Sequence, residues 1–136
     1  MENIPASQND EKTILVVDDD PAVLESISAL LTGAKYKVLT ANSGADALTQ
    51  AKQYKPEINL LLADFQMPGM SGVDLATKMT AERPQLKVLL MSGFSGGMLV
   101  LNEGWHFLAK PFVPSQLRGL ISGLVSPDSK THFARQ

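Results

Sequence analysis

"LLLADFQMPGMSG", residues 60–72, runs apolar for four residues, meets one acid at Asp64, and then breaks into Met-Pro-Gly-Met-Ser-Gly. Taken alone, an acid at the tip of an apolar run reads as a turn residue, because Asp hydrogen-bonds its own backbone and tolerates unusual dihedrals. The pattern is not alone, however. "TILVV" (13–17), "YKVLT" (36–40), "LKVLLM" (86–91) and "HFLA" (106–109) join this run, "INLLLA" (58–63), as five short apolar runs with amphipathic segments between them. Val23, Ile27, Leu30 and Leu31 stand at helical spacing, helices are predicted over Gly44–Tyr54 and Gly72–Glu82, and Leu117, Leu120, Ile121 and Leu124 share one helical face. Ser43 followed by Asp46 is a capping-box-like start for the second helix. The result is five βα units. Strands that are continuous apolar runs, separated by helices, imply a parallel sheet buried on both faces, a doubly wound α/β architecture. In such sheets ligands bind beyond the carboxyl ends of the strands, so chemistry is to be sought at each strand's last residue.

The composition narrows the class of protein. A chain of 136 residues supports one domain with a real core, and without cysteine it has neither disulfides nor thiolate metal sites. A net charge of −2 supplies no polycationic surface, which disfavours direct nucleic-acid binding. No apolar stretch approaches the ~20 residues of a membrane span, and "MENIPASQNDEK" lacks the basic and apolar regions of a signal peptide, so a cytoplasmic location with no membrane association is expected. The polar residues 1–11 and the turn-rich residues 126–136 read as tails around one domain over residues 12–125.

Strand one ends in "VVDDDP". Asp20 is explained as a helix N-cap with Pro21 at the first helical position, but Asp18 and Asp19 are not. Strand three ends at Asp64, strand four at Ser92 in "LLMSG", and strand five at Lys110 in "FLAKPF". In the parallel sheet these tips share one rim. Carboxylates gathered there repel one another unless a cation intervenes, and oxygen ligands with open water positions suit Mg²⁺. Lys110 and Ser92 supply the positive charge and the hydroxyl that hold a phosphoryl oxygen during transfer. A carboxylate so placed is a candidate nucleophile forming an aspartyl phosphate.

In their joint order, "ILVVDDDP", "LLLADFQMPGMSG", "VLLMSG" and "FLAKPF" resemble the successive motifs of the response-regulator receiver domain of two-component signalling, over roughly residues 12–125. The resemblance implies a flavodoxin-like five-stranded sheet in the order 2-1-3-4-5. It implies Asp64 as phosphoacceptor, Asp19 as a direct Mg²⁺ ligand, Asp18 acting mainly through water, and the backbone carbonyl of Gln66 as a further ligand. Ser92 would hydrogen-bond the phosphoryl group, Lys110 would pair with it, and Phe107 matches the aromatic switch position. The Lys110–Pro111 bond is often cis in the family. The implied function is a switch, not an enzyme in the ordinary sense: it catalyses its own phosphorylation by a histidine kinase or histidine phosphotransfer protein, and its own dephosphorylation, and it alters binding to a downstream protein or to a second copy of itself.

A rival from another class is a Mg²⁺-dependent aspartyl-phosphate phosphohydrolase, whose D-x-D pattern Asp18 and Asp20 satisfy. That reading leaves "DFQMPGMSG" unexplained and finds no cap insertion for a substrate. The isolated His106 and His132 receive no role, and Met67 and Met70 read as gap-filling contacts under the loop after Asp64. One departure from the family is plain: "GFSGGMLVLNEGWHFLA" between Ser92 and Lys110 is about one helical turn short. With Gly96 and Gly97 in it, the fourth helix is expected to be stunted and the segment Gly93 to Gly104 mobile, which either leaves Trp105 and Phe107 partly exposed on one face or lets Trp105 pack into the space of the missing turn.

Overall fold

A computed structural model of the protein describes residues 11–93 and 105–125. The shortened helix expected within residues 93–104 therefore falls almost wholly outside the described residues, as do the two tails and His132.

Five parallel strands form the sheet: β1 (Thr13–Val17), β2 (Lys37–Ala41), β3 (Leu60–Asp64), β4 (Lys87–Ser92) and β5 (Trp105–Ala109), in the order β2-β1-β3-β4-β5. The described helices are α1 (Pro21–Gly33), α2 (Gly44–Gln53), α3 (Gly72–Glu82) and α4 (Pro114–Val125). The doubly wound fold and the strand order implied by the resemblance are both present. Strands β3 and β4 each run one residue past the apolar sequence and so include Asp64 and Ser92. A strand continues while its backbone has a partner, and Asp64 is in register with Met91, and Ser92 with Ala109.

Side chains alternate across a strand, so each central strand feeds two cores. Leu15, Val17, Leu61, Ala63, Val88 and Leu90 pack beneath α2 and α3 with Ala47, Leu75 and Met79, whereas Ile14, Val16, Leu60, Leu62, Leu89 and Met91 pack against α1 and α4 with Ile27, Leu31, Leu117 and Ile121. Every residue of β1 is buried. Fully burying one Leu or Ile side chain contributes about 1.5–3 kcal/mol, which makes these two layers the dominant stabilising term and the central strands a stiff mount for whatever sits at their ends.

Local signals set the helix starts. Asp20, in extended conformation, caps α1 by accepting a hydrogen bond from the Ala22 N–H, with Pro21 opening the helix. Ser43 accepts from the Asp46 N–H at 3.0 Å, but the reciprocal bond of a capping box is displaced by one residue, because the Asp46 carboxylate accepts from Asn42 N–H. Ser71 caps α3 in the same way through the Asp74 N–H. At the other end of α1, Lys35 turns the chain with φ of 78°, a left-handed conformation that costs a non-glycine residue about 1–2 kcal/mol. Its side chain is exposed. Lys35→Gly should therefore raise stability by about 0.5–1 kcal/mol, after allowing for glycine's extra unfolded-state entropy; chemical denaturation of the two proteins measures it, and a less stable variant would refute the strain.

Candidate functional site

The carboxyl ends of β1, β3, β4 and β5 converge, and the residues singled out from sequence arrive there for identifiable reasons. Asp18 follows β1 and is 1% exposed; its N–H donates to the carbonyl of Ala41 on β2, which carries the strand's pairing one residue beyond its end. Asp64 is the half-buried last residue of β3. Immediately after it, the Phe65 N–H donates to the Met91 carbonyl at 2.7 Å, and its carbonyl accepts from Gly72 N–H at 2.9 Å. Gly72 has to be glycine here, because a Cβ would lie 2.3 Å from the Asp64 carbonyl oxygen. Helix α3 thus starts directly against the end of β3, and the intervening loop turns at Gly69, whose φ is +80°. Met67 is buried and Met70 half-buried beneath this loop, as gap-filling residues.

Carboxylate oxygens of Asp18, Asp19 and Asp64 lie within 4.8 Å of one another, Asp18 buried, Asp64 half-buried and Asp19 exposed. Lys110 Nζ stands 3.5 Å from Asp18 Oδ2 and 3.5 Å from Asp64 Oδ1. Its backbone is tied to the neighbouring strand, because Lys110 N–H donates to the carbonyl of the buried Ser92 at 2.7 Å. The Lys110–Pro111 bond that follows is cis. Gln66 is exposed, and its backbone N–H bonds to the Asp64 carboxylate.

Phe107 lies two residues before Ala109, the partner of Ser92, on the face of the sheet that also carries half-buried Trp105. The two aromatics share a face, as strand alternation predicts, and both are half-buried. A contact that the sequence did not reveal joins them to the site: the Phe65 ring meets Phe107 edge-on, with centroids 5.9 Å apart. The available signal was an aromatic residue directly after β3 and another on β5. Asp20 stands apart, with its carboxylate engaged at the start of α1, so the D-x-D reading of Asp18 and Asp20 does not correspond to a shared cluster. His106 is exposed on β5.

Three carboxylates against one ammonium leave an excess of negative charge. Burial holds the Asp64 carboxyl above the ordinary carboxylate range, Lys110 and the Gln66 N–H pull it down, and Asp18 pushes it further up. Asp18 Oδ1 accepts from the Asp20 N–H at 2.9 Å, but among the described residues Oδ2 is buried and accepts no hydrogen bond. An oxygen-only donor set with a buried, under-satisfied oxygen and an uncompensated negative charge fits a hard divalent cation.

Residues 14–122 match the family model of the response regulator receiver domain. The chain belongs to that family. It is 32% identical over 133 residues to the probable transcriptional regulatory protein TcrX of Mycobacterium tuberculosis, covering 86% of this chain and 53% of TcrX. It thus spans about half the length, or less, of the curated relatives it resembles. Among solved structures, a CheY-like receiver domain protein from Methanospirillum hungatei superposes with a TM-score of 0.77 at 31% identity, covering 89% of this chain and 98% of the other. The response regulator TrrA of Thermotoga maritima, determined in complex with Mg²⁺ and BeF, gives 0.74 at 28% identity, covering 83% and 98%. No helix among the described residues is long and apolar enough to cross a membrane.

The raised pKa of Asp64 has a direct consequence for the metal-free receiver. A carboxyl whose folded pKa exceeds its unfolded value favours the fold while protonated, and loses that contribution as the pH rises through the folded pKa. Asp64→Asn should accordingly melt a few degrees higher than the parent at neutral pH in the presence of a chelator, with the gain vanishing below the ordinary carboxylate pKa, where both residues are neutral. Melting curves across that pH range test the sign; a destabilised neutral-pH variant would show that the Lys110 pairing outweighs burial.

Proposed function

We propose that this receiver takes a phosphoryl group onto Asp64 from a phosphohistidine of a histidine kinase or histidine phosphotransfer protein, in the presence of Mg²⁺, and thereby changes its binding to a downstream protein. The observation that carries the reading is the placement of Asp64 at a strand tip within 4.8 Å of Asp18 and Asp19 and 3.5 Å from Lys110 Nζ. Asp18, Asp19, Asp64 and the Gln66 carbonyl would hold the ion, which when bound neutralises charge on the phosphoryl oxygens. In the transfer, an Asp64 oxygen attacks phosphorus, the P–O bond forms as the P–N bond breaks, and the imidazole leaves with the proton that keeps it neutral. Lys110 pairs with the incoming phosphoryl oxygens, and the Ser92 hydroxyl donates to one of them. The half-buried Asp64 needs no general base, since it reacts as the carboxylate.

The donor's approach is served by an open, mainly apolar groove of about 560 Å³ lined by Ala22, Val23, Ile27, Lys110, Pro111 and Phe112. Lys110 belongs both to this groove and to the acidic cluster, so a helical partner seated there would bring its phosphohistidine to Asp64. Residues 12–125 form the receiver unit in this reading, in the cytoplasm, with residues 1–11 and 126–136 as tails. Phosphorylation is read out at Ser92 and Phe107, altering the aromatic face that Phe107 shares with Trp105 into a surface for a partner or a second copy.

Incubation with a small acyl phosphate and Mg²⁺ should add one labile phosphoryl group, detectable by mass and released by hydroxylamine, and Asp64→Asn should abolish it. An acid-stable adduct surviving in Asp64→Asn would move the assignment to Ser or Thr. Trp105, the sole tryptophan, reports the output surface. Its emission maximum should shift on full phosphorylation; an unchanged spectrum would refute a readout at this face while leaving Asp64 as acceptor.

A further inference from the structure

We infer that Asp20 is a positioning residue for the cation at the acidic cluster, acting through Asp18; this rests on reading that cluster as a Mg²⁺ site. Asp20 contributes no oxygen to the cluster itself. It is instead fastened at three points. Its N–H donates to Asp18 Oδ1 at 2.9 Å, its side-chain Oδ1 accepts from Ala22 N–H at 3.0 Å, and its carbonyl accepts from Leu24 N–H at 3.1 Å. Pro21 adds a fourth restraint, since the residue before proline is confined to extended conformations, and Asp20 is observed there at φ −97° and ψ 113°.

These bonds divide the work on the Asp18 carboxylate. Oδ1 is occupied by the Asp20 N–H, which stops the group from rotating and leaves Oδ2 turned toward Lys110 and the cluster, buried and without a hydrogen bond among the described residues. The Asp20 side chain is exposed and reaches none of the cluster, yet it anchors the donor that does the orienting. Three consecutive acids therefore have separate tasks. Asp18 and Asp19 face the cation, and Asp20 turns its carboxylate away to pin α1 and its backbone toward Asp18. A metal ligand held by such a partner loses affinity when the partner is loosened, by tenfold or more in measured cases.

The decisive experiment is Mg²⁺ titration of the full chain by calorimetry at neutral pH and high ionic strength, where the charge of an exposed carboxylate is screened. Asp20→Ala should weaken Mg²⁺ about tenfold. Asp20→Asn and Asp20→Ser, which retain a capping oxygen, should stay within about twofold of the parent. Melting temperatures in chelator accompany each titration, because a cap that matters only for folding lowers the melting temperature of Asp20→Ala and leaves its Mg²⁺ affinity alone. Unchanged affinity in Asp20→Ala overturns the inference by itself. An equal loss in Asp20→Asn and Asp20→Ala also overturns it, in favour of a through-space effect of charge. Absence of Mg²⁺ uptake by the parent chain is the distinct outcome that overturns the reading of the cluster, and the inference with it.

Discussion

Asp18 Oδ2 is a carboxylate oxygen sealed from water, and the end of the sheet is organised around it. Removing charge from water costs several kcal/mol unless partners replace the lost hydration. Here the replacements are partial: one hydrogen bond to Oδ1 and one ammonium at 3.5 Å from Oδ2. That ammonium is shared, since Lys110 stands at the same distance from Asp64 Oδ1. Two unit charges less than about 5 Å apart in a half-buried setting interact with an energy on the order of 3 kcal/mol, so one lysine does not neutralise two such carboxylates together with Asp19. Burial is what first lifts the Asp64 carboxyl above its ordinary range, with Asp18 adding to it against Lys110, while the Asp18 oxygen is left unsatisfied.

Only a stiff frame holds such a deficit in place. A flexible loop would relax by swinging the carboxylates into solvent, but Asp18 and Asp64 extend from β1 and β3, which are paired with each other and buried on both faces. The apolar burial along those strands far exceeds the local repulsion. Phe65 shows how tightly the neighbouring backbone is bound: its N–H reaches β4, its carbonyl reaches the start of α3, and its ring rests edge-on against Phe107 of β5. The residue after the proposed phosphoacceptor is thus bonded to three other elements at once. Through Phe65, the backbone beside Asp64 is in contact with Phe107, on the face that also carries Trp105.

The sheet was legible in the sequence because its signals are strong and redundant. Continuous apolar runs of four to six residues cannot be amphipathic helix, and polar, glycine-rich breaks separate them cleanly. The gathering of Asp18, Asp19, Asp64, Ser92 and Lys110 followed from topology alone, since parallel strands put all their carboxyl ends on one rim. Roles within that gathering were not derivable from spacing; they came with the family resemblance. What stayed hidden depends on side-chain direction. That Asp20 spends its carboxylate on Ala22 while giving its N–H to Asp18 is set by dihedral angles, and no pattern of residue types encodes it. The edge-on Phe65–Phe107 contact belongs to the same class, as does the displaced partner of Asp46. Lys35 is a further case, because a lysine carries no signal for a positive φ.

Phosphorylation of Asp64 would exchange a carboxylate of one negative charge for an acyl phosphate carrying up to two, at a rim already short of positive charge. On electrostatics alone the metal-free site resists that exchange, and Lys110 is already occupied by two carboxylates. A divalent ion changes the balance, and linkage makes the relation reciprocal: whatever factor the ion contributes to the equilibrium for phosphorylating Asp64, phosphorylation returns to the affinity for the ion. The orientation of Asp18 then enters both equilibria at once. A helix cap on the exposed surface, one residue removed from the ligands, is therefore in a position to tune the phosphorylated state without touching the phosphoryl group, because it orients Asp18, a carboxylate that burial holds in place.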